Sequence, residues 1–520
     1  MQRRTFLTTT GAAVASLPWL PGCGGGGGGD STATNPPVVP AGSHAVTLAV
    51  NAASPGIAVN RRVLGSNVEW VDNGDNLLDA ATGGFDATTL ALVKAIAPTS
   101  LRYPGGLQAD VFHWEQPNNE HVFTRAVQPT RMNTQRLLEL CEATGALPLF
   151  TVNVITGTPD EAARWVRATN ITRLVSSATG ALLPTVDFWE IGNEPYLQAD
   201  SRPDLDIAPA EFARRASLFI RAMRAVDPTI SIGLPLTLDR RNGLPITAYS
   251  GYARTVLGAL TETFDVACVH NAYMPLVFGG TLDVAALTPG ALAAAEAVRD
   301  DLAATRALLA ELRPGAAIPI AVTEHAPLFS LGEGATDDWS TTPLGAIYLA
   351  DLLRVFAETD DVIVANHWSL SGNGRFGAIG GNGRTAFNRT VADVLLLAGQ
   401  AVRGNRLVAN LACETVATPS VGLVAARSAL PLCSALVTRE GSSLRTLLIH
   451  KDATRNAQVQ FDLSGASASS ARLTTLSAAD LTNAADLPAL WQRATLAPAG
   501  GTRLTLNLPP HSVALLELAL

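Results

Sequence analysis

Two glutamates, Glu194 and Glu324, each follow a short apolar run: Phe188-Trp189-Glu190-Ile191 precedes the first, Ile318-Pro319-Ile320-Ala321-Val322 the second. A carboxylate carried to the end of a buried strand stands at the rim of a fold, where ligands reach it. Two such carboxylates facing each other across a cleft can cleave a glycosidic bond. One stays protonated to protonate the leaving oxygen, and the other stays ionised and attacks the anomeric carbon. Retention through a covalent intermediate requires the two to stand about 5 to 5.5 Å apart. A single rim glutamate is more often the ion-pair partner of an arginine. Here, however, Arg102, Asn153, Asn193, His270, Tyr273 and Trp368 fall at strand ends on the same rim, and Glu69 lies on the first strand. That concentration favours catalysis.

The elements that must position these residues alternate. Apolar strand patterns over 63–70, 100–103, 147–155, 186–192, 230–235, 264–270, 318–323 and 362–368 are separated by helical periods over 88–96, 134–144, a segment opened by Pro159, 209–226, 252–260, 292–312, 344–357 and 391–400. Eight strand–helix units in succession predict an α/β fold, a (β/α)8 TIM barrel, over a doubly wound open sheet. In such a barrel chemistry sits at the C-terminal strand ends, where the polar residues fall. After Gly404 long helical periods give way to strand patterns such as Thr446-Leu447-Leu448-Ile449-His450 and Ser512-Val513-Ala514-Leu515-Leu516. A C-terminal all-β sandwich is expected there, completed by a strand from the N-terminal side. The expected divisions are 1–23, an export signal; 24–44, a Gly/Pro-rich tether; 45–62, the joining strand; 63–403, the catalytic barrel; and 404–520, the sandwich.

Composition narrows the rest. A net charge of −8 with 16% charged residues and no basic run argues against a nucleic-acid partner. Arg3-Arg4 before a short apolar stretch reads as a twin-arginine export address. Leu20-Pro21-Gly22-Cys23 resembles a lipoprotein cleavage box, which would tether the protein to a membrane through a lipidated Cys23 and place it in the periplasm or at the cell surface. Cys141 and Cys268 lie in apolar patterns and are expected as buried thiols, whereas Cys413 and Cys433 could pair. No metal-type Cys/His spacing is present, and neither metal nor cofactor is expected. Gly372-Asn373-Gly374-Arg375-Phe376-Gly377 has a dinucleotide-type glycine spacing without the strand–helix unit around it, and reads as a loop over the cleft mouth with Arg375 toward substrate. His325, next to Glu324, should point to the opposite face.

The segment Trp189-Glu190-Ile191-Gly192-Asn193-Glu194-Pro195 resembles the Asn-Glu-Pro signature of clan A glycoside hydrolases. Leu101-Arg102-Tyr103-Pro104-Gly105-Gly106, His113-Trp114-Glu115, Val152-Asn153 with Thr156-Gly157-Thr158, and the C-terminal Pro509-Pro510-His511-Ser512-Val513 are more narrowly similar to family 51 α-L-arabinofuranosidases. The resemblance implies Glu194 as acid/base and Glu324 as nucleophile. It also implies Asn193 on the hydroxyl beside the anomeric carbon, Arg102 and Tyr273 as partners of the nucleophile, and Glu69 in substrate binding. Two departures stand out. His270-Asn271-Ala272-Tyr273 is one residue longer than the family's His-x-Tyr, and Leu107 replaces the asparagine that usually follows the paired glycines. Leu107 keeps other clan A activities open, among them β-xylosidase, β-glucuronidase and endoglucanase. A non-catalytic surface glycan-binding protein is the alternative from another class. The expected partner is a polysaccharide or oligosaccharide.

Overall fold

The computed structural model describes residues 42–520 apart from 198–201, 240–248, 279–283, 332–339, 373–375, 486–490 and 498. The export signal, Cys23, most of the tether and Arg375 lie outside the described residues.

Eight parallel strands form the barrel: Gly65–Asn67, Ser100–Tyr103, Leu147–Val152, Phe188–Ile191, Ser231–Pro235, Val266–Val269, Ile320–Leu331 and Val362–His367. Each pairs with the next, and the eighth returns to the first through Asn366↔Gly65 and His367↔Ser66. Closure rules out the open sheet. The strands are covered inside by barrel side chains and outside by helices, which is why their sequences run apolar without alternation. Four of the barrel's helix starts carry side-chain caps. Asp86, Asn133, Thr158 and Thr342 each accept from a backbone N–H in the first turn, and the last two are followed by Pro159 and Pro343. Each cap contributes roughly 1 kcal/mol.

Two elements differ from expectation. The first strand is only three residues long, because Arg61–Leu64 coil into a 3-10 turn capped by Asn60. Asn60 also donates to the carbonyls of Val362 and Ile363, fixing the turn beneath the eighth strand. The seventh strand does not end at Thr323. The segment Ala272–Phe278 pairs alongside it from Ala272↔His325 to Phe278↔Leu331 and carries it on to Leu331. Its register against the eighth strand slips between Val322 and His325, so Thr323 and Glu324 occupy a bulge. Bulges of this kind re-aim side chains, and here the one re-aimed is Glu324.

The C-terminal region is two packed sheets. In the four-stranded one His44–Asn51 lies between Ala409–Ala412 and Ala457–Ser464, with Arg503–Leu508 beyond. The larger sheet centres on Cys433–Glu440, Ser443–His450, Ser512–Ala519 and Ser470–Ser477. Strand period two divides its side chains. Leu444, Leu448, Ala514 and Leu516 face the sandwich core, whereas Leu447, Ile449, Val513 and Leu515 join the barrel's core. The sheet is thus buried on both faces, and an ion pair between Lys451 and Asp351, 2.6 Å and 1–2% exposed, pins it to helix Pro343–Glu358. All four described cysteines are free. Cys413 and Cys433 form no disulfide; the Cys413 Sγ instead approaches the Cys433 carbonyl at 3.8 Å. No helix among the described residues is long and apolar enough to cross a membrane.

Candidate active site

The centre of the barrel mouth is Arg102, wholly buried at the end of the second strand. Its guanidinium spends four contacts on four partners: Glu190 at 2.5 Å, Glu324 at 2.7 Å, and the side-chain oxygens of Asn67 and Asn193, both at 3.0 Å. Glu190 is fully buried and also accepts from Thr151 (2.9 Å) and Thr323 (2.7 Å). Burial by itself would raise the Glu190 pKa; Arg102, His270 and the Thr323 hydroxyl together outweigh it and hold the carboxyl below its usual value.

The fourth strand ends in a turn only glycine permits. Gly192 has φ 85°, and a Cβ there would lie 2.5 Å from Val154 Cγ1. Two residues later Glu194 itself adopts φ 44°, a costly conformation for a side-chain-bearing residue and a feature of functional sites. Tyr196 donates to Glu194 at 3.2 Å. Asn193 Nδ2 is buried with no hydrogen-bond partner while its oxygen is taken by Arg102, so it keeps a spare donor at the mouth.

His270 lies between the two glutamates, its Nδ1 3.3 Å from Glu194 and 3.6 Å from Glu324. Their nearest oxygens are therefore no more than about 7 Å apart, a bound that includes the short separation of retaining enzymes. The Thr323 hydroxyl gives its hydrogen to Glu190, so at 2.9 Å it accepts from His270 Nε2–H. Burial alone would lower the His270 pKa; the charges of Glu324 and Glu194 prevail and raise it. Tyr273 donates to Glu324 at 2.8 Å, with burial and then Glu324 itself pushing the phenol far up, so it remains a donor. The glutamates are consequently unequal. Glu324 is gripped from both sides with 6% of its side chain exposed, and Glu194 opens to solvent with 19%.

The opposite wall is built by the paired glycines. A Cβ on Gly106 would lie 2.5 Å from the Trp368 ring and 3.4 Å from the Glu69 carboxylate, so the half-buried Trp368 and Glu69 border the same position. Glu69, Asp72 and Asp75 form an acidic group near Glu324. Burial and then Asp75 raise Glu69, and burial and then Asp72 push Asp75 up to about 8.

The fold thus brings together Glu194, Glu324, Arg102, Asn193, His270 and Tyr273, with Glu69 and Trp368 alongside. Asn153 is a correction. It is at a strand end, but its amide donates to the Phe112 carbonyl and Thr156 and accepts from the Thr156 backbone, which leaves it organising a loop. Leu107 packs into a small apolar cluster with Val111, Val122 and Leu205. Of the glycine-rich loop, Phe376 stands edge-on to Tyr273, and Arg389 ties down the carbonyls of Gly372 and Gly377. His325 points away from Glu324, against Phe356 and His367. Glu190, Asn67, Thr151, Thr323, Tyr196 and Asp75 were not singled out from sequence. A charge inside an otherwise apolar strand was the available signal for Glu190.

The His325–His367 pair makes stability pH-dependent. Burial, aided by His367, holds His325 well below its usual value, and burial lowers His367 to about 4. Folded-state values below unfolded ones mean that the unfolded chain takes up protons first as pH falls. This contribution is intact above about 6.5 and is lost toward about 4. Melting temperature is expected to fall over that window, with a shallower slope in His367→Phe. An equal slope in both would refute the assignment.

No protein-family model matches the chain. Among curated proteins it is 28% identical over 178 residues to a probable α-L-arabinofuranosidase C of Aspergillus clavatus, covering 31% of this chain and 34% of that one. It is 29% identical over 178 residues to α-L-arabinofuranosidase C of Emericella nidulans, with the same coverage. These matches span about a third of the relatives' length. In structure it is similar to the α-L-arabinofuranosidase of Thermotoga maritima solved with arabinose (TM-score 0.75, 19% identity, 91% of this chain and 100% of that one). The family 51 enzyme of Thermotoga petrophila gives 0.75 at 20% identity over 91% and 99%. A family 44 xyloglucanase of Paenibacillus polymyxa gives 0.60 at 15% identity over 92% and 100%. The chain therefore has the fold of the family 51 α-L-arabinofuranosidases, a (β/α)8 barrel carrying a β-sandwich.

Proposed function

We propose that the protein is a retaining glycoside hydrolase, an α-L-arabinofuranosidase that removes terminal sugars from polysaccharides or oligosaccharides. The observation carrying this reading is the convergence of Glu194 and Glu324 on one imidazole nitrogen, with one carboxylate gripped and the other open. In the first step Glu324 attacks the anomeric carbon while the bond to the leaving oxygen breaks and Glu194 supplies that oxygen's proton. In the second, water attacks the glycosyl-enzyme, Glu194 takes its proton, and Glu324 is released. Arg102 and Tyr273 keep Glu324 oriented. The spare Asn193 donor serves the neighbouring hydroxyl, Glu69 accepts from others, and Trp368 offers the sugar an apolar face. His270 Nδ1, standing between the two glutamates, is placed to balance their charge as the proton moves.

A panel of para-nitrophenyl glycosides tests the proposal. Release is expected from the α-L-arabinofuranoside. Release confined to a xyloside, glucuronide or glucan substrate would move the reading to another clan A activity, the one favoured by Leu107's turn away into its apolar cluster. No release from any sugar, with measurable oligosaccharide binding, would overturn hydrolysis. Glu194→Ala is expected to lose about 10²–10⁴-fold in kcat/KM on natural glycosides, whose poorer leaving groups need the proton, and far less on nitrophenyl substrates, where the missing base of the second step lowers kcat instead. Equal losses on both would remove Glu194 from the acid/base role. The reading includes twin-arginine export and a lipid tether at Cys23, supported by Arg3-Arg4 and Leu20-Pro21-Gly22-Cys23. Arg3→Lys with Arg4→Lys should retain the protein inside the cell.

A further inference from the structure

At one end of the sandwich the two sheets meet through His44, Cys433 and His450. Cys433 and His450 are direct cross-strand partners in the larger sheet, and His44 opens the N-terminal strand of the smaller one. All three are at most 2% exposed, and one nitrogen or sulfur atom from each lies within 4.8 Å of the others. The two histidine Nε2 atoms are 2.9 Å apart. His450 Nδ1 faces the Pro509 carbonyl at 2.6 Å. A carbonyl only accepts, so Nδ1 carries the hydrogen and the Nε2 lone pair turns toward His44. A carbonyl holding the remote nitrogen is how metal-binding imidazoles are commonly oriented. With protein groups alone, His44 Nε2–H can donate to His450, but His44 Nδ1 then stays buried with no partner, as does Nε2 of the nearby His511. Nothing in the hydrolytic reaction uses these groups.

We propose that His44, Cys433 and His450 form a binding site for a zinc-class divalent ion that clamps the two sheets together. Two imidazoles and a thiolate suit that ion, with bonds of about 2.0–2.3 Å. Donors around such an ion stand about 3.3–3.8 Å apart, which the observed cluster reaches by small side-chain shifts. On binding, the Cys433 thiol releases its proton to solvent and the imidazoles enter neutral, so no oxidant or reductant is involved. The ion would tie the first sandwich strand to two strands about 400 residues later in the chain.

The test uses the full-length chain, with thiols kept reduced by a phosphine and metal stripped by a chelator. Titration with cobalt(II) alone is expected to bind one equivalent and give a thiolate-to-cobalt charge-transfer band in the near ultraviolet, which zinc then displaces. Zinc should raise the melting temperature by several degrees and leave hydrolysis in the barrel unchanged. Cys433→Ser should lose the band and the thermal shift. Absence of the band in the unaltered protein overturns the site, whatever the variant does. A band of equal intensity in Cys433→Ser overturns it as well, since binding would then reside elsewhere.

Discussion

Glu324→Ala is expected to lower kcat on the aryl arabinofuranoside by a factor on the order of 10⁴ or more, with the fold intact. No neighbour can replace this nucleophile. Glu190 is locked onto Arg102, Thr151 and Thr323, and Glu194 belongs to the other partial reaction. The fold survives because Arg102 keeps Glu190, Asn67 and Asn193 when the carboxylate goes. Initial rates with circular dichroism on the same preparation decide the matter. Turnover within tenfold of the parent would mean that the carboxylate does no bond-making.

Arg102→Met is expected to be costly in a different currency, about 3–5 kcal/mol of stability together with nearly all activity. The arginine is the only guanidinium among the described residues that contacts Glu190 and Glu324, and both carboxylates are almost wholly shielded from water. Methionine fills much of the space but leaves Glu190 as an uncompensated buried charge. Adding Glu190→Gln removes that charge, so the double variant should regain part of the lost stability while activity stays low. Urea unfolding of the four proteins gives the coupling. Additive losses would show that the two residues do not act as a unit.

The barrel was legible because its strands read as short apolar runs and most of its helices are announced by a cap or a proline, as at Thr158-Pro159 and Thr342-Pro343. Strand ends located Glu194, Glu324, Arg102 and His270 for the same reason. Legibility failed where partners decide what position cannot. Asn153 stands at a strand end like Asn193, yet Thr156 engages its amide, and nothing in the local sequence separates the two. Glu190 lies inside a strand, where a charge survives only because Arg102 arrives from another strand. The extension of the seventh strand depended on Ala272–Phe278 folding back beside it, a long-range pairing invisible to local pattern.

The strand His44–Asn51 lies within a sheet whose neighbours are Ala409–Ala412 and Ala457–Ser464. As the chain is synthesised, this strand must wait with its apolar face and both hydrogen-bonding edges unpaired while the whole barrel emerges and folds. The sandwich cannot close until nearly the last residues are made. A product truncated after the barrel would thus retain an orphan β-strand ahead of a bare apolar helical face, and both are ready sites for association between chains.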